Sequence, residues 1–228
     1  MQLYFSPLAC SMASRIALYA SGAEAEFVQV DPKTKQTADG RNFLLINPLG
    51  LVPVLCMDDG AVLTENAAVL QFIAARDPEA ALAPREPIRR ARLHQWLSFI
   101  GTELHKAIYV PLLDKTAPEP VKAYARAKAG SRLSWVAAEL EGREFALDEF
   151  SIADAYLFTV LNWSAVTQVA LDPWPRLIEY MRRMRAHPAV ARALQEEKAL
   201  YVQELTRHRD LNLAAAPALG LVAAQGAR

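Results

Sequence analysis

Three prolines, Pro78, Pro84 and Pro87, crowd one short stretch, and the hydrophobic pattern changes across it. Proline fixes φ and removes a backbone donor, so such a cluster interrupts helix and sheet alike and marks a linker. The chain therefore reads as two units, residues 1–77 and 88–228, joined by a linker at 78–87. The first unit mixes periods. Leu3-Tyr4-Phe5 reads as a strand, residues 11–20 as a helix stopped by Gly22, and residues 26–30 as a second strand. Residues 31–47 are polar and read as a loop with an irregular helix carrying Phe43, Leu44 and Ile46. Residues 52–57 read as a third strand, Asp58-Asp59-Gly60 as a hairpin turn, and residues 61–63 as its return. Thr64-Glu65-Asn66 opens a helix reaching about Arg76. The order strand-helix-strand-helix-strand-strand-helix predicts a small sheet with helices packed on it.

Everything beyond the linker reads as helix. The spacing predicts a long amphipathic helix over 88–109 that Pro111 ends or kinks, then a helix over 119–140. Ser151 with Asp154 three residues on forms a shortened capping box. It opens Ala155-Tyr156-Leu157-Phe158-Thr159-Val160-Leu161, apolar on nearly every side and so the expected buried centre of this unit. Further helices follow over 177–186 and 190–205. Residues 206–228 form an Ala-rich tail to which no function is assigned. The fold class is α/β followed by all-α. Replacing Asp154 with alanine is expected to cost about 0.5–2 kcal/mol of stability, the range for a lost cap, and to leave the chemistry alone.

Composition narrows the function classes. The 228 residues are 53% apolar, and 25 basic residues balance 25 acidic ones. Balanced charge argues against nucleic acid or an anionic membrane as the main partner. No charged-then-apolar leader opens the sequence, because Ser6, Pro7 and Cys10 interrupt it, and no apolar run reaches the length of a membrane span. Cys10 and Cys56 are too few for a disulfide framework or a cysteine-built zinc site. A reducing, cytoplasmic setting with no metal is the expectation.

Cys10 follows a strand and a Ser-Pro turn and precedes a helix. Free backbone N–H groups and the dipole there favour an anion, so the thiol is expected to be pulled toward thiolate. The other reading is a small buried hydrophobe. Pro53 stands inside an apolar strand, where proline is out of place except at the start. A cis Val52-Pro53 bond would turn the Val52 backbone outward to pair with an extended peptide; a trans bond would simply close a turn.

These segments together resemble a known family. Leu3-Tyr4-Phe5-Ser6-Pro7 with Ala9-Cys10-Ser11, Asn47-Pro48-Leu49-Gly50-Leu51-Val52-Pro53, Leu63-Thr64-Glu65, Glu103-Leu104-His105-Lys106 and Ile152-Ala153-Asp154-Ala155-Tyr156-Leu157-Phe158 are similar to cytosolic glutathione transferases. Cys10 with His105-Lys106 points to the bacterial beta class. The resemblance implies a thioredoxin-like N-terminal domain, an all-helical C-terminal domain and a homodimer. It implies transfer of glutathione to a small hydrophobic electrophile, with glutathione as co-substrate. It also implies that Pro53 is cis and that Val52 pairs its backbone with the cysteine of glutathione.

The chemistry of glutathione, with two carboxylates, one ammonium and one thiol, suits these residues. Its γ-glutamyl carboxylate fits the helix N-terminus at Glu65-Asn66, its ammonium the Glu65 carboxylate, and its glycyl carboxylate Lys35. Lys35 is otherwise a solvated lysine, and Glu65 otherwise a first-turn acid that only steadies its helix. Cys10 either hydrogen-bonds the glutathione thiolate or forms a mixed disulfide with it. Ala13 replaces the second cysteine of a Cys-x-x-Cys motif, so any exchange is monothiol. In the family, His105 and Lys106 line the site near the thiol: the cation lowers its pKa, and a neutral His105 serves as donor or base. Otherwise His105 is a satisfied helix histidine. Glu103 resembles an acid that reaches the neighbouring subunit's glutathione. Trp163 resembles a tryptophan beside the electrophile, a core position being the other reading. Cys56 reads as core. Asn66 stands where serine or glycine is usual, and Leu49 where lysine is common. The alternative to an enzyme is a non-catalytic glutathione or hydrophobic-ligand binding protein on the same fold.

Overall fold

The computed structural model describes residues 1–76, 79 and 81–208. The expected Ala-rich tail lies almost wholly outside them. Strand β1 (Gln2–Phe5) leads through helix α1 (Met12–Ser21) to β2 (Glu26–Gln29), parallel to β1. A 3-10 turn over Phe43–Leu45 follows, then β3 (Val54–Cys56), β4 (Val62–Leu63) and α2 (Asn66–Arg76). Both later strands pair antiparallel, giving the order β2-β1-β3-β4. This is a thioredoxin-like mixed sheet.

Side chains alternate across the sheet with the period of two that strands impose. Leu3 and Leu55 face α1 and α2 in the main core. Tyr4, Val28, Val30 and Val54 face the other way and are covered by Phe43. Cys56 packs at the margin of this second cluster. Helix α1 ends as its sequence requires: Gly22 takes the left-handed conformation, φ 69°, and its N–H returns to the Tyr19 carbonyl.

The second unit is helical. It contains α3 (Pro87–Phe99), a π-helical stretch (Ile100–Tyr109), α4 (Val110–Leu113), α5 (Glu119–Glu139), α6 (Ile152–Asn162), α7 (Ser164–Thr167), α8 (Pro175–Ala186) and α9 (Pro188–His208). All residues of α6 are buried, as its apolar run predicts. Its capping box is complete: Ser151 Oγ accepts from the Ala153 N–H, and Asp154 accepts from the Ser151 N–H. Leu82 is buried, and its carbonyl takes the Ile152 N–H, which docks this part of the linker onto α6.

Of the two outcomes expected at Pro111, an end or a kink, the end does not occur: the helix continues past it. The turns before it widen to π geometry, and the Val110 N–H reaches back five residues to the His105 carbonyl. In an α register the proline ring would press on the carbonyl four residues earlier. The wider turn carries the helix through Pro111 to Leu113. π-helical turns gather at functional sites, and this one carries Glu103, His105 and Lys106.

Candidate active site

Cys10 lies two residues ahead of α1, and its carbonyl accepts the Ala13 N–H. Its thiol donates to the Val52 carbonyl across 3.2 Å. The Val52-Pro53 bond is cis, as the family resemblance implies. The thiol therefore stands beside the backbone that would pair with a peptide ligand.

The thiol is not poised as thiolate, which corrects the expectation drawn from its place before a helix. Burial raises its pKa to about 11, and the charge on Lys106 together with the Cys10 and Ser11 N–H groups offsets only part of that. Helix position lowers a thiol pKa where water or a strong cation shares the site; here desolvation is larger. The same two influences act on His105. Burial first, and then Lys106, lower it to about 4, so the imidazole is neutral at pH 7. Lys106 itself is exposed.

His105 is buried on the π-helical stretch. Its Nδ1 lies 2.8 Å from Tyr156 Oη, and its ring is tilted against Trp163 at 5.0 Å. Trp163 is buried too, and its Nε1–H donates to the Leu8 carbonyl at 2.8 Å. The Leu8 N–H donates to Glu197 Oε2 on α9 at 2.7 Å. Both backbone groups of Leu8, which adopts φ 59°, are thus held by the helical unit two residues before Cys10. Glu197 faces Arg15 of α1 at 3.7 Å, and Arg15 also pairs with Glu196 at 2.9 Å. The Arg15 guanidinium lies over the Phe5 and Phe27 rings.

Substituting Trp163 with phenylalanine is expected to keep the packing on His105 and strip the Leu8 carbonyl of its donor. The expected cost is about 1 kcal/mol of stability, with a larger relative loss of turnover. Thermal melting and initial rates on the same preparation test this; unchanged values of both would refute it.

Of the remaining expected residues, Glu65 lies near enough to Cys10 for its charge to act on the thiol. Glu65 is exposed, adopts φ 64°, and offers its carbonyl to the Ala68 and Val69 N–H groups at the start of α2. Asn66 is buried, and its Oδ1 accepts from Ser14 Oγ at 2.9 Å, so this side chain faces inward. Lys35 Nζ donates to the Gly50 carbonyl at 3.0 Å, beside the loop that leads to Val52. Glu103 is paired with Arg132 of α5, whose Nε and Nη2 both donate to its Oε2, at 3.0 and 2.9 Å. Among the described residues no group of three or more His, Cys, Asp or Glu side chains could hold a metal ion, and no helix is long and apolar enough to cross a membrane.

Sequence reasoning passed over Leu8, Arg15, Tyr156 and Glu197. Arg15 carried a signal: an arginine inside an otherwise apolar helix must find a partner. Glu197 carried a weaker one, as the inner member of an acidic pair on an amphipathic helix. Leu8 carried none, because its role rests on backbone groups.

Residues 1–75 match the family description "Glutathione S-transferase, N-terminal domain", and residues 99–188 match "Glutathione S-transferase, C-terminal domain". The chain is 39% identical over 199 residues to glutathione S-transferase GstA of Escherichia coli O157:H7, covering 86% of this chain and 98% of that protein. A sphingomonad glutathione S-transferase solved with glutathione is similar in structure, with a TM-score of 0.82 and 42% identity over 86% of this chain and 98% of that one. A beta-class glutathione S-transferase of Sphingomonas chungbukensis gives a TM-score of 0.82 and 42% identity over the same shares.

Proposed function

This chain belongs to the glutathione S-transferase family, beta class, and from that premise we propose how its residues divide the work. Glutathione lies along the Val52-Pro53 loop with its sulfur beside Cys10. The observation that carries this placement is the 3.2 Å contact between Cys10 Sγ and the Val52 carbonyl, which puts a thiol donor at the backbone edge a peptide ligand would join. Lys35 takes the glycyl carboxylate, Glu65 the ammonium, and the Asn66 end of α2 the γ-glutamyl carboxylate. Residues 1–77 form the glutathione-binding domain, residues 78–87 the linker, and residues 88–228 the helical domain that supplies His105, Lys106 and Trp163. The protein works as a homodimer in the cytoplasm, with Glu103 near the subunit boundary.

The reaction is attack of the glutathione thiolate on a small hydrophobic electrophile: the carbon–sulfur bond forms as the leaving group departs with the bonding pair. At neutral pH a free thiol is only a few per cent ionised, so the site must favour the anion. Cys10, protonated at pH 7, donates its S–H to that thiolate. Neutral His105 supplies a second N–H, and Lys106 the positive field. Holding both reactants in place adds the rest.

A second reading is disulfide exchange. A Cys10 thiolate attacks oxidised glutathione, the Cys10–glutathione disulfide forms, and one glutathione thiolate leaves. The raised thiol pKa speaks against it, since a pKa of about 11 leaves about one thiol in 10,000 ionised at pH 7. Intact-protein mass after incubation with oxidised glutathione separates the two. The expected result is slow adduct formation at pH 7 that speeds up about tenfold per pH unit and disappears in Cys10→Ala. In parallel, the wild-type protein conjugates a model aryl halide. Rapid, pH-independent adduct at neutral pH would favour exchange. Glutathione binding with no turnover of any electrophile or disulfide would leave a binding protein.

A further inference from the structure

Tyr156 sits on α6 where the two units meet, 3% exposed, and no part of the chemistry above uses it. Its hydroxyl lies 2.8 Å from His105 Nδ1, and the two rings meet edge to face, 5.9 Å apart at 87°. A bond between these groups has two possible directions, and they leave His105 with opposite abilities. If the phenol donates, Nδ1 is the acceptor and the imidazole proton sits on Nε2. If Nδ1–H donates, Nε2 is left as a bare lone pair.

The surroundings choose between them. His105 is neutral at pH 7, so it has one N–H to place. Tyr156 keeps its proton, because burial holds its pKa far above the ordinary tyrosine value. Among the described residues the phenol has no acceptor other than His105 within hydrogen-bond distance. Asn66 also lies against the phenol oxygen. There, Ser14 Oγ already occupies Oδ1, which leaves Nδ2, a buried donor without a hydrogen bond of its own. A phenol beside an amide donor on one side and an imidazole nitrogen on the other sends its single proton to the imidazole.

We infer that Tyr156 is a positioning residue for His105: its hydroxyl donates to Nδ1, fixes the Nε2–H tautomer, and makes His105 a hydrogen-bond donor rather than a general base. The inference rests on the reading of His105 as a site residue given above. It extends that reading by deciding which of the two chemistries open to a neutral histidine is used. It also makes α6 part of the site. Tyr156 touches His105 of the π-helical stretch and lies against Asn66 at the start of α2, so one side chain registers both units.

The test is nitrogen NMR on the full-length protein labelled with ¹⁵N-histidine, with His105 assigned by its loss in His105→Gln. The expected wild-type spectrum at pH 7 shows a protonated Nε2 and an unprotonated, hydrogen-bonded Nδ1. In Tyr156→Phe, which keeps the ring and removes the donor, the tautomers mix. The kcat for conjugation is expected to fall about tenfold, less than for loss of a thiolate donor itself, with KM for glutathione unchanged. An Nδ1-protonated His105 in the wild-type protein overturns the inference, and this measurement needs no variant to fold. An unaltered tautomer in Tyr156→Phe overturns it as well. If His105→Ala leaves kcat unchanged, the failure belongs to the reading of His105 as a site residue, and the tautomer spectra still report on Tyr156.

Discussion

Replacing Glu197 with alanine is expected to lower stability by about 1–3 kcal/mol and to reduce turnover more than binding. Glu197 is fully buried and does two things at once. Its Oε2 accepts the Leu8 N–H, and its Oε1 faces Arg15. Removal strands the buried Leu8 N–H and opens space beside the Arg15 guanidinium, which stays paired with Glu196. The released segment is Leu8 to Cys10, so the loss reaches the thiol through the backbone. Glutamine at this position keeps an acceptor for Leu8 and is expected to cost much less.

The pair also differs in pH response. Burial raises the Glu197 pKa to about 8, against an ordinary 4.5, with Arg15 offsetting only part of the effect. Between those values the folded protein holds a proton that the unfolded chain has lost. Stability from this group is therefore full below about pH 4.5 and falls as pH rises to about 8. Glu197→Gln should remove that slope. Denaturant unfolding at several pH values measures both effects. Wild-type stability in the alanine variant, or an unchanged pH slope in the glutamine variant, would show that the cluster is not what holds the loop.

Asp154→Ala is expected to cost about 3 kcal/mol or more, beyond the range for a lost cap. The carboxylate accepts from the Ala146 N–H at 2.7 Å, the Ser151 N–H at 3.0 Å, Ser151 Oγ at 3.0 Å and Tyr180 Oη at 3.1 Å. Each buried donor left without a partner costs about 1–3 kcal/mol. Asparagine gives no rescue, because its amide N–H₂ would face a backbone N–H that cannot turn away. Ser151→Ala removes only the capping hydroxyl and should cost about 1 kcal/mol. Activity per folded molecule should survive in all three, since this knot lies on the side of α6 that meets the 146–151 loop and α8. A melting temperature for Asp154→Ala equal to wild type would refute the assignment. The capping box was legible from Ser151 and Asp154 alone. The larger cost was not, because Ala146 and Tyr180 reach Asp154 only through the fold.

The sequence by itself determined the order of elements and the buried character of α6, and it singled out Cys10, Val52, Pro53 and His105 as candidates. Those features depend on short-range rules: strand and helix periods, proline geometry, and cap chemistry acting over a few residues. Only the tertiary structure decided the state of the groups proposed to do the chemistry. A cysteine before a helix reads as an incipient thiolate, yet desolvation keeps this one protonated. His105 reads equally as donor or base, and Tyr156, fifty-one positions away, removes the ambiguity. Pro111 reads as an end or a kink, and the π turn before it carries the helix on. The Leu8 backbone shows the limit most plainly. Its two partners lie 155 and 189 positions along the chain, and a peptide N–H and C=O carry no mark in the sequence of what they will meet. Desolvation and long-range hydrogen bonding are properties of the packed interface, so they become readable only once α6 and α9 lie against α1 and the Cys10 loop.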